Sequence, residues 1–600
     1  MHSKAPEIPL CANERWGPAI PNTIRLDGAW RAVILISILA AYLIPLTLFH
    51  QLFPLVSRMP TWDQWHLIPI WESYFAGGSI SRMMFQPYAG HLNILPRFVF
   101  IGLGLVSHWN IRWEIIASYV VATATLTVLL QSLRQTDRRL LVLAAPVSAQ
   151  VFSLLQFENF MTGYPLGQNI SQFAATAAIY CATKNPIRTR DVLLTATASF
   201  SATFSWGAGL VAWPVSTLAI LFAPITKKIW IIGLTAATAT VATVVRLAEP
   251  ARPSFNLGKI ASFFLILVGK PVSIVPFPTA NECLARGVSV IIALSVLFTA
   301  VLLLRSFHVA WRWGAFALLS LSSALLISIG RFEDDGPQAL ASHYVTATYL
   351  GVVAAMVMGA ALLLHEYDFS HSRPVRLVAV SALAFLASAV FFQPLLVAHG
   401  MIPTLRAWAA ITRENNRKLI SGTATDQDIH QLTHPDANLV RLGLRVLRQN
   451  HLAVFRERAR AAAEPNHLPL PAEAFRLQWH DISAPAEVER GRLLRVRVGV
   501  MNCGTSTWPA STEDGDYPVR LGYRWSGTSE PDGSYDGHRI NLPRPVRPNE
   551  SVVCEFDVEP PETPGDYFLQ LNLVQEHVAW FQDKGCKSLE HRVRVVAHGE

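Results

Sequence analysis

The sequence predicts an α-helical membrane protein with many spans, followed by a smaller all-β domain. Of the 600 residues, 51% are hydrophobic and only 15% are charged, with a mean hydropathy of +0.31. This composition is too apolar for a soluble enzyme. The apolar excess is confined to roughly the first two thirds of the chain, and short alternating runs near its end are typical of β-strands.

About eleven apolar runs are long enough to cross a bilayer, which takes on the order of twenty residues each. Because the polar segment 1–31 before the first run does not resemble a secretory signal, we expect that run to remain as an anchor. The transmembrane domain is therefore predicted to cover 32–400. The runs begin near Ala32, Glu114, Leu140, Ser171, Val192, Leu210, Lys228, Gly287, Gly314, Tyr344 and Leu377.

The basic connections between the runs predict the orientation of the chain. "RQTDRR", "KNPIRTR", "TKK", "RSFHVAWR" and "HSRPVR" fall on alternate connections and share the cytoplasmic side with the N-terminus. This assignment explains the net charge of +8 without a nucleic-acid partner. It requires that "LPRFVFIGLGLVSHWNIRW" be an interfacial helix within a first outer loop, 54–113. We expect a bacterial inner-membrane protein whose segment after about 398 is periplasmic.

With this topology, many polar side chains share the outer face. Solvated loops would explain any one of them, but their joint clustering favours a site at the outer membrane–water boundary. These residues are Asp63, His66, Glu72, His91, Asn93, Glu158, Asn159, Lys270, Arg331, Asp334, Asp335 and His343.

Asp63 is the candidate for a general base. Enzymes that draw a sugar from a lipid phosphate need a carboxylate for the acceptor hydroxyl and cations for the departing phosphate. Asp63 follows the first span closely, and Trp62 and Trp65 would hold its loop at the level of the lipid headgroups. The alternative is an exposed aspartate within an aromatic belt.

Polar residues of the first two outer loops are candidates for substrate contacts. His91 and Asn93 lie in "QPYAGHLNILPRF", where His91 would bind phosphate or acceptor; a satisfied surface histidine is the alternative. Glu158 and Asn159 lie where the third span emerges, and they would contact the acceptor or the sugar.

Two cations are candidates for the phosphate. Arg331 is preferred because a guanidinium binds two phosphate oxygens at once, and Lys270 is the second choice. The glycines of "SWGAGLVAWP" indicate either a hairpin or a notch for a lipid tail. Asp334 and Asp335 form only a weak metal signal, so we predict neither a metal site nor a cofactor.

The order of these motifs resembles that of the C-type glycosyltransferase superfamily (GT-C), whose members use polyprenyl-phosphate sugars. The resemblance covers roughly residues 30–400 and rests on "WDQW", "AGHLNILPRF", "QFENFMTGYPLGQ", "SWGAGLVAWP" and "GRFEDDGPQALASHYVT". It implies a catalytic carboxylate at Asp63 and places His343 and Tyr344 among the substrate-binding residues. Two positions differ: Gly-His-Leu at 90–92 stands where relatives carry Glu-His-Arg, and His343 stands where relatives carry arginine.

The region after 400 divides into a helical connector, 401–470, and a β-domain, 471–600. Alternating runs such as "LLRVRVGVMNCG" and "SVVCEFDVEPP" predict an antiparallel β-sandwich. The domain resembles the immunoglobulin-like domains attached to bacterial surface-polysaccharide enzymes. Its tryptophans are expected in the core, with carbohydrate stacking by Trp525 or Trp580 as the alternative. Cys503 and Cys554 are one candidate disulfide pair.

We therefore expect an inverting transferase that moves a sugar from a polyprenyl-phosphate donor to a glycan, lipid or protein acceptor outside the cell. The alternatives are a transporter of a polysaccharide intermediate and a non-catalytic partner in polysaccharide assembly. A transporter would place ionisable groups near the membrane midplane, where this sequence has few.

Overall fold

The computed structural model divides into two compact units, Met1–Val454 and Phe455–Glu600. The division falls within the predicted connector. The structure describes residues 28–87, 92–221, 232–233, 236–237, 239–241, 243, 256–304, 306–333, 336–369, 373–432, 434–456, 469–511, 517–527 and 539–597.

The first unit is helical. Its helices in the first 221 residues are α1 (Gly28–Leu52), α2 (Ile68–Phe75), α3 (Ser81–Met84), α4 (Ile94–Ser107), α5 (Arg112–Thr136), α6 (Ala144–Val151), α7 (Glu158–Met161), α8 (Leu166–Ala182), α9 (Thr189–Thr203) and α10 (Ala212–Leu221). Those that follow are α11 (Leu257–Gly269), α12 (Ala280–Leu303), α13 (Phe307–Arg331), α14 (Val345–Phe369), α15 (Arg373–Ser421), α16 (Asp426–Leu432) and α17 (Ala437–Gln449).

Among the described residues, seven helical segments are long and apolar enough to cross a membrane. This agrees with the predicted helical membrane protein, whereas the predicted number of about eleven spans is not confirmed. The runs predicted to begin near Ser171 and Val192 form helices of 17 and 15 residues, α8 and α9. The run near Lys228 lies outside the described residues. The seven segments are Gly28–Leu55, Arg112–Thr136, Arg138–Gln156, Ala280–Leu303, Phe307–Arg331, Ser342–His365 and Val390–Ser421.

Helix α4 is the segment predicted to be interfacial. It has 14 residues, which corresponds to about 21 Å, against a hydrocarbon core of about 30 Å. The helix ends where His108 and Trp109 adopt positive φ angles of 56° and 51°. The backbone N–H of Leu95 donates to the carbonyl of Phe204 at 3.1 Å. Helix α4 is therefore too short to cross, and its first turn is bound to the end of α9.

The second unit is a two-sheet β-sandwich, as the alternating runs predict. One sheet has the order β1 (Leu477–Ser483), β3 (Leu494–Asn502), β6 (Ser551–Val558). The other has the order β2 (Glu487–Glu489), β9 (Leu589–Val596), β7 (Gly565–Gln575), β4 (Val519–Gly527), β5 (Arg539–Asn541), with β8 (Ala579–Trp580) paired to β7. Val498 of β3 and Leu571 of β7 share one apolar core between the sheets.

The contacts of the tryptophans and cysteines in the sandwich test two of the predictions. The indole of Trp525 donates to the carbonyl of Glu559 at 2.8 Å, and the guanidinium of Arg539 lies 4.5 Å from the ring centroid of Trp580. These contacts favour the packing interpretation of both tryptophans. Cys503 and Cys554 are free thiols, so the structure contains no bond between this candidate pair.

Candidate functional site

The segment that carries Asp63 is a 3-10 helix, Trp62–Leu67, and buried hydrogen bonds fix its position. The backbone N–H of Thr61 donates to Gln64 Oε1 at 3.1 Å, so the side chain of Gln64 caps the segment. Gln64 Nε2 then donates to Glu114 Oε2 at 2.6 Å, while Trp109 Nε1 donates to Glu114 Oε1 at 3.0 Å. Glu114 thereby binds the segment to the start of α5.

The two tryptophans beside Asp63 have opposite environments. Trp62 is 46% exposed, and its φ angle of 48° is uncommon for a bulky residue. Trp65 is fully buried, and its ring lies so close to Gly443 of α17 that a β-carbon there would be 2.6 Å away. Trp62 therefore lies at the surface as the sequence predicts, whereas Trp65 packs inside the protein.

Asp63 lines a cavity of about 250 Å³ that is bounded by four segments of the chain. Residues 63–87 form one wall, and Asn93 with α4 forms the second. The start of α8 and the turn after α9 form the others. The polar and aromatic side chains on these walls are Asp63, His66, Gln86, Asn93, Arg97, Phe100, Tyr164, Gln168, Ser205 and Trp206.

Close backbone packing brings three of these walls together. A β-carbon at Gly167 of α8 would lie 3.0 Å from Pro96 Cγ and 3.1 Å from the carbonyl oxygen of Ser205. A larger residue would therefore push α8 away from α4 and from the turn after α9. The tertiary packing therefore explains on steric grounds why the motif "YPLGQ" carries a glycine at this position.

Opposite charges surround one phenol of the cavity, that of Tyr164. Burial raises the pKa of Tyr164, and the carboxylate of Asp63 raises it further. The guanidiniums of Arg97 and Arg331 lower the same pKa, although burial dominates. Asp63 and Arg331 therefore both lie within electrostatic range of Tyr164. The phenol stays protonated near neutral pH and is a hydrogen-bond donor.

Arg97 brings positive charge directly to the cavity wall. Its Nη1 donates to the backbone carbonyl of Met84 at 3.2 Å and also to that of Gln86. These contacts hold the guanidinium against the end of α3 and the residues that follow it. Burial lowers the pKa of Arg97, but an arginine remains charged at any physiological pH.

A second polar cluster contains Glu158 and His343. Glu158 Oε2 accepts hydrogen bonds from Ser342 Oγ at 2.7 Å and from the His343 backbone N–H at 3.1 Å, and it lies 2.8 Å from His343 Nδ1. Burial favours the protonated acid, but the contacts with His343 and Ser342 outweigh it and lower the pKa of Glu158 to about 2. Glu158 is therefore a carboxylate at neutral pH.

Lys270 lies within electrostatic range of this cluster. Its Nζ donates to the carbonyl of Leu340, and only 4% of the residue is exposed. Burial lowers the pKa of Lys270 to about 8, although Glu158 acts to raise it. Lys270 is thus a buried cation close to neutral pH that loses its charge under mildly alkaline conditions.

The remaining predicted residues have different placements. Asn93 lines the cavity, while Asn159 is fully buried and its amide donates to Gln156 Oε1 at 3.2 Å and to Thr346 Oγ1. Tyr344 is buried and stacks on Trp206 with ring centroids 6.4 Å apart, so it lies directly behind one cavity wall. His91, Asp334 and Asp335 lie outside the described residues.

The structure places four further residues at or beside the cavity that the sequence did not predict: Arg97, Tyr164, Gln168 and His434. His434 Nε2 lies 3.2 Å from His66 Nε2, although the two are 368 positions apart in the chain. Burial and His434 lower the pKa of His66, whereas Asp63 and Asp436 act to raise it. Tyr164 follows a glycine in a quoted motif, which is a weak signal, and no local signal marks His434.

No protein-family model and no curated protein matches this chain. Among solved structures, the CARDB domain of a Pyrococcus furiosus protein is 18% identical and covers 20% of this chain and 94% of its own, with a TM-score of 0.14. A Pseudomonas fluorescens alkylpurine DNA glycosylase bound to DNA containing an abasic site analog is 9% identical and covers 80% of this chain and 98% of its own, also with a TM-score of 0.14. At that TM-score, neither likeness carries an argument about fold or function.

Proposed function

We propose that this chain is a membrane glycosyltransferase that moves a sugar from a polyprenyl-phosphate donor to an extracytoplasmic acceptor. The observation that supports the proposal most is the convergence of separate segments on one cavity. Asp63, Asn93, Tyr164 and Trp206 belong to four motifs of the GT-C resemblance, and all four line that cavity. A set of unrelated solvated loops would have no reason to meet in this way.

In the proposed reaction, Asp63 takes the proton of the acceptor hydroxyl. The acceptor oxygen then forms a bond with the anomeric carbon of the sugar. The bond from that carbon to the phosphate oxygen breaks, and its electron pair leaves with the lipid phosphate. Direct displacement of this kind inverts the configuration at the anomeric carbon.

Cations and a neutral donor are available for the departing phosphate. Arg97 lines the cavity, and Arg331 lies within electrostatic range of the same phenol as Asp63. Both guanidiniums are able to bind phosphate oxygens in pairs. The protonated Tyr164 would add a hydrogen bond to the phosphate without adding charge.

The proposal places the protein in a bacterial inner membrane, with the cavity and the β-sandwich on the periplasmic side. The acceptor would be a cell-surface glycan, lipid or protein. The seven apolar helical segments are long enough to cross a bilayer. A donor with an apolar polyprenyl tail would lie in the same bilayer, so the two are compatible. The competing function is that of a non-catalytic component of polysaccharide assembly or transport. An experiment on Asp63 distinguishes it from the transferase.

The test compares Asp63→Asn with Glu72→Gln, a control in the same loop at an exposed position. Cells that lack the protein are complemented with each variant, and their surface glycans are analysed by mass spectrometry. Purified variants are also assayed in liposomes that contain polyprenyl-phosphate sugars. We expect Asp63→Asn to slow transfer by about 10²–10⁴-fold while the variant elutes as a folded protein. Unchanged glycans in Asp63→Asn cells would favour the non-catalytic alternative.

A further inference from the structure

Three side chains with metal-binding atoms meet beside the cavity: Asp63, His66 and His434. One ligand atom from each residue lies within 4.8 Å of the other two. Asp63 is partly exposed, His66 is exposed and His434 is buried, at 4%. The three residues therefore extend from the protein interior to the solvent, and the cavity lies next to Asp63 and His66.

The separation of the two imidazoles matches a shared ion. His66 Nε2 and His434 Nε2 are 3.2 Å apart, and the ring planes are inclined at 76° with centroids 4.9 Å apart. Two nitrogens that each lie about 2.0–2.1 Å from one tetrahedral zinc ion are about 3.3 Å apart. Only the carboxylate of Asp63 would have to move closer, and it is carried on a side chain with rotatable bonds.

The fold brings the three ligands together from two directions. Asp63 and His66 are three residues apart in the 3-10 helix Trp62–Leu67, and residues at that spacing lie on the same face of such a helix. His434 lies just before α17, a helix that packs on the same segment through Gly443 and Trp65. The packing of α17 on the segment therefore holds His434 opposite His66.

We propose that Asp63, His66 and His434 form a binding site for a divalent transition-metal ion of the zinc type. Two imidazoles and one carboxylate suit zinc, cobalt or nickel, whereas magnesium and calcium prefer oxygen ligands throughout. Three protein ligands leave the fourth position of a tetrahedral ion for water or substrate, which is the arrangement of catalytic zinc sites. Asp63 and His66 line the cavity, so that fourth position faces it.

Metal binding changes one hydrogen bond of His434. Without an ion, His434 Nδ1 accepts the backbone N–H of Asp436 at 3.0 Å, so the ring carries its proton on Nε2 and donates it toward His66. An ion bound at Nε2 displaces that proton, and the neutral ring then carries a proton on Nδ1 instead. Loading therefore requires the contact with Asp436 to open, which we expect as a small rearrangement before α17.

The presence of the ion does not depend on the proposed sugar transfer, but its use there does. One oxygen of Asp63 would bind the ion and leave the other for the acceptor hydroxyl. An ion with an open position would bind an oxygen of the acceptor or the phosphate, which adds Lewis-acid stabilisation to that of Arg97. Metal uptake and sugar transfer can therefore be measured separately.

The test uses the full chain, purified in detergent with an affinity tag that contains no histidine. The protein is treated with chelator, dialysed and titrated with Co²⁺, whose visible absorption reports tetrahedral coordination, and then with Zn²⁺ in competition. We expect one equivalent of Co²⁺ per chain, displaced by Zn²⁺. The His66→Ala variant should bind about tenfold or more weakly. His430→Ala, an exposed histidine four residues before His434, is the matched control and should bind as the wild type does.

Two results would overturn the site: a wild-type chain that takes up no Co²⁺ or Zn²⁺, and a His66→Ala variant that binds as tightly as the wild type. Because the His66 ring is exposed, its removal tests the site even where His434→Ala fails to fold. Uptake that is lost in His66→Ala supports the site even when no sugar transfer is detected. Transfer by a wild-type chain that takes up no ion would overturn the site and leave the transferase proposal intact.

Discussion

Gln64 donates a 2.6 Å hydrogen bond to the carboxyl of Glu114 across 50 residues of sequence. Both side chains are buried, at 0% and 1% exposure. The pair fixes the 3-10 helix that carries Asp63 to the first turn of α5. A buried polar pair of this kind is costly to disrupt, because whichever partner remains loses its hydrogen bond away from water. The position of the candidate base therefore depends on a contact outside the cavity.

Replacing Gly163 should disturb this pair directly. A β-carbon at 163 would lie 2.0 Å from Glu114 Oε2 and 2.4 Å from Gln64 Nε2. We expect Gly163→Ala to lower the free energy of unfolding by about 1–3 kcal/mol, measured as a lower thermal midpoint in detergent. Gly102→Ala on α4 is the control, because a β-carbon there meets nothing within 4 Å. A Gly163→Ala midpoint at or above that of Gly102→Ala would contradict the packing argument.

The Glu158 carboxylate should make stability depend on acidic pH. Its pKa falls from an ordinary 4.5 to about 2 in the folded protein, so the stabilisation is complete above about pH 4.5 and is lost as pH falls toward 2. The stability advantage of the wild type over Glu158→Gln should therefore be largest near neutral pH and shrink below pH 4.5. Thermal unfolding across that range measures it. Glu72→Gln, at an exposed position, is the control; a constant gap for Glu158→Gln would refute the prediction.

Lys270 should make stability rise with pH under alkaline conditions. Its folded pKa of about 8 lies below the ordinary 10.5, so the unfolded chain binds more protons between these values. Wild-type stability relative to Lys270→Met should therefore rise as pH increases from about 8 to 10.5. Unfolding midpoints of both proteins across this range provide the measurement. Lys259→Met, at an exposed position on α11, is the control and should remain parallel to the wild type; parallel curves for Lys270→Met would be the contrary result.

The fold was predictable where local pattern and burial coincide. In β6, "SVVCEFDV" alternates exposed and buried residues along its whole length, so the period-two pattern in the sequence predicts the strand. The number of spans was less predictable. Apolar composition predicts membrane helices by length, but α8 and α9 end after 17 and 15 residues. A polar connection separates these two helices, and the 3-10 helix Gly207–Val211 precedes α10, which has only 10 residues.

The candidate site was predictable in part. Asp63 and Asn93 belong to polar sequence motifs that follow the first apolar run. Both residues line the cavity. Tyr164 and His434 depend on tertiary packing instead. His434 approaches His66 only because α17 packs on the segment of Asp63, and nothing in the surrounding sequence encodes that contact. Charges that act on Tyr164 come from three separate segments, so its chemical environment emerges only in the folded chain.

The phenol of Tyr164 offers a last test of the proposed reaction. Burial keeps it protonated, so in the proposed mechanism it donates to the departing phosphate without adding charge beside Asp63. Tyr164→Phe retains the ring and removes the hydroxyl, and loss of one such donor typically slows a reaction by about 10²–10³-fold. We expect a fall of this order in the turnover rate in liposomes, with the thermal midpoint nearly unchanged. Tyr74→Phe, an exposed tyrosine of α2, is the control and should retain wild-type turnover. Equal turnover in both variants would exclude Tyr164 from the reaction, since a donor that contacts the phosphate only in the transition state cannot be removed without slowing the step.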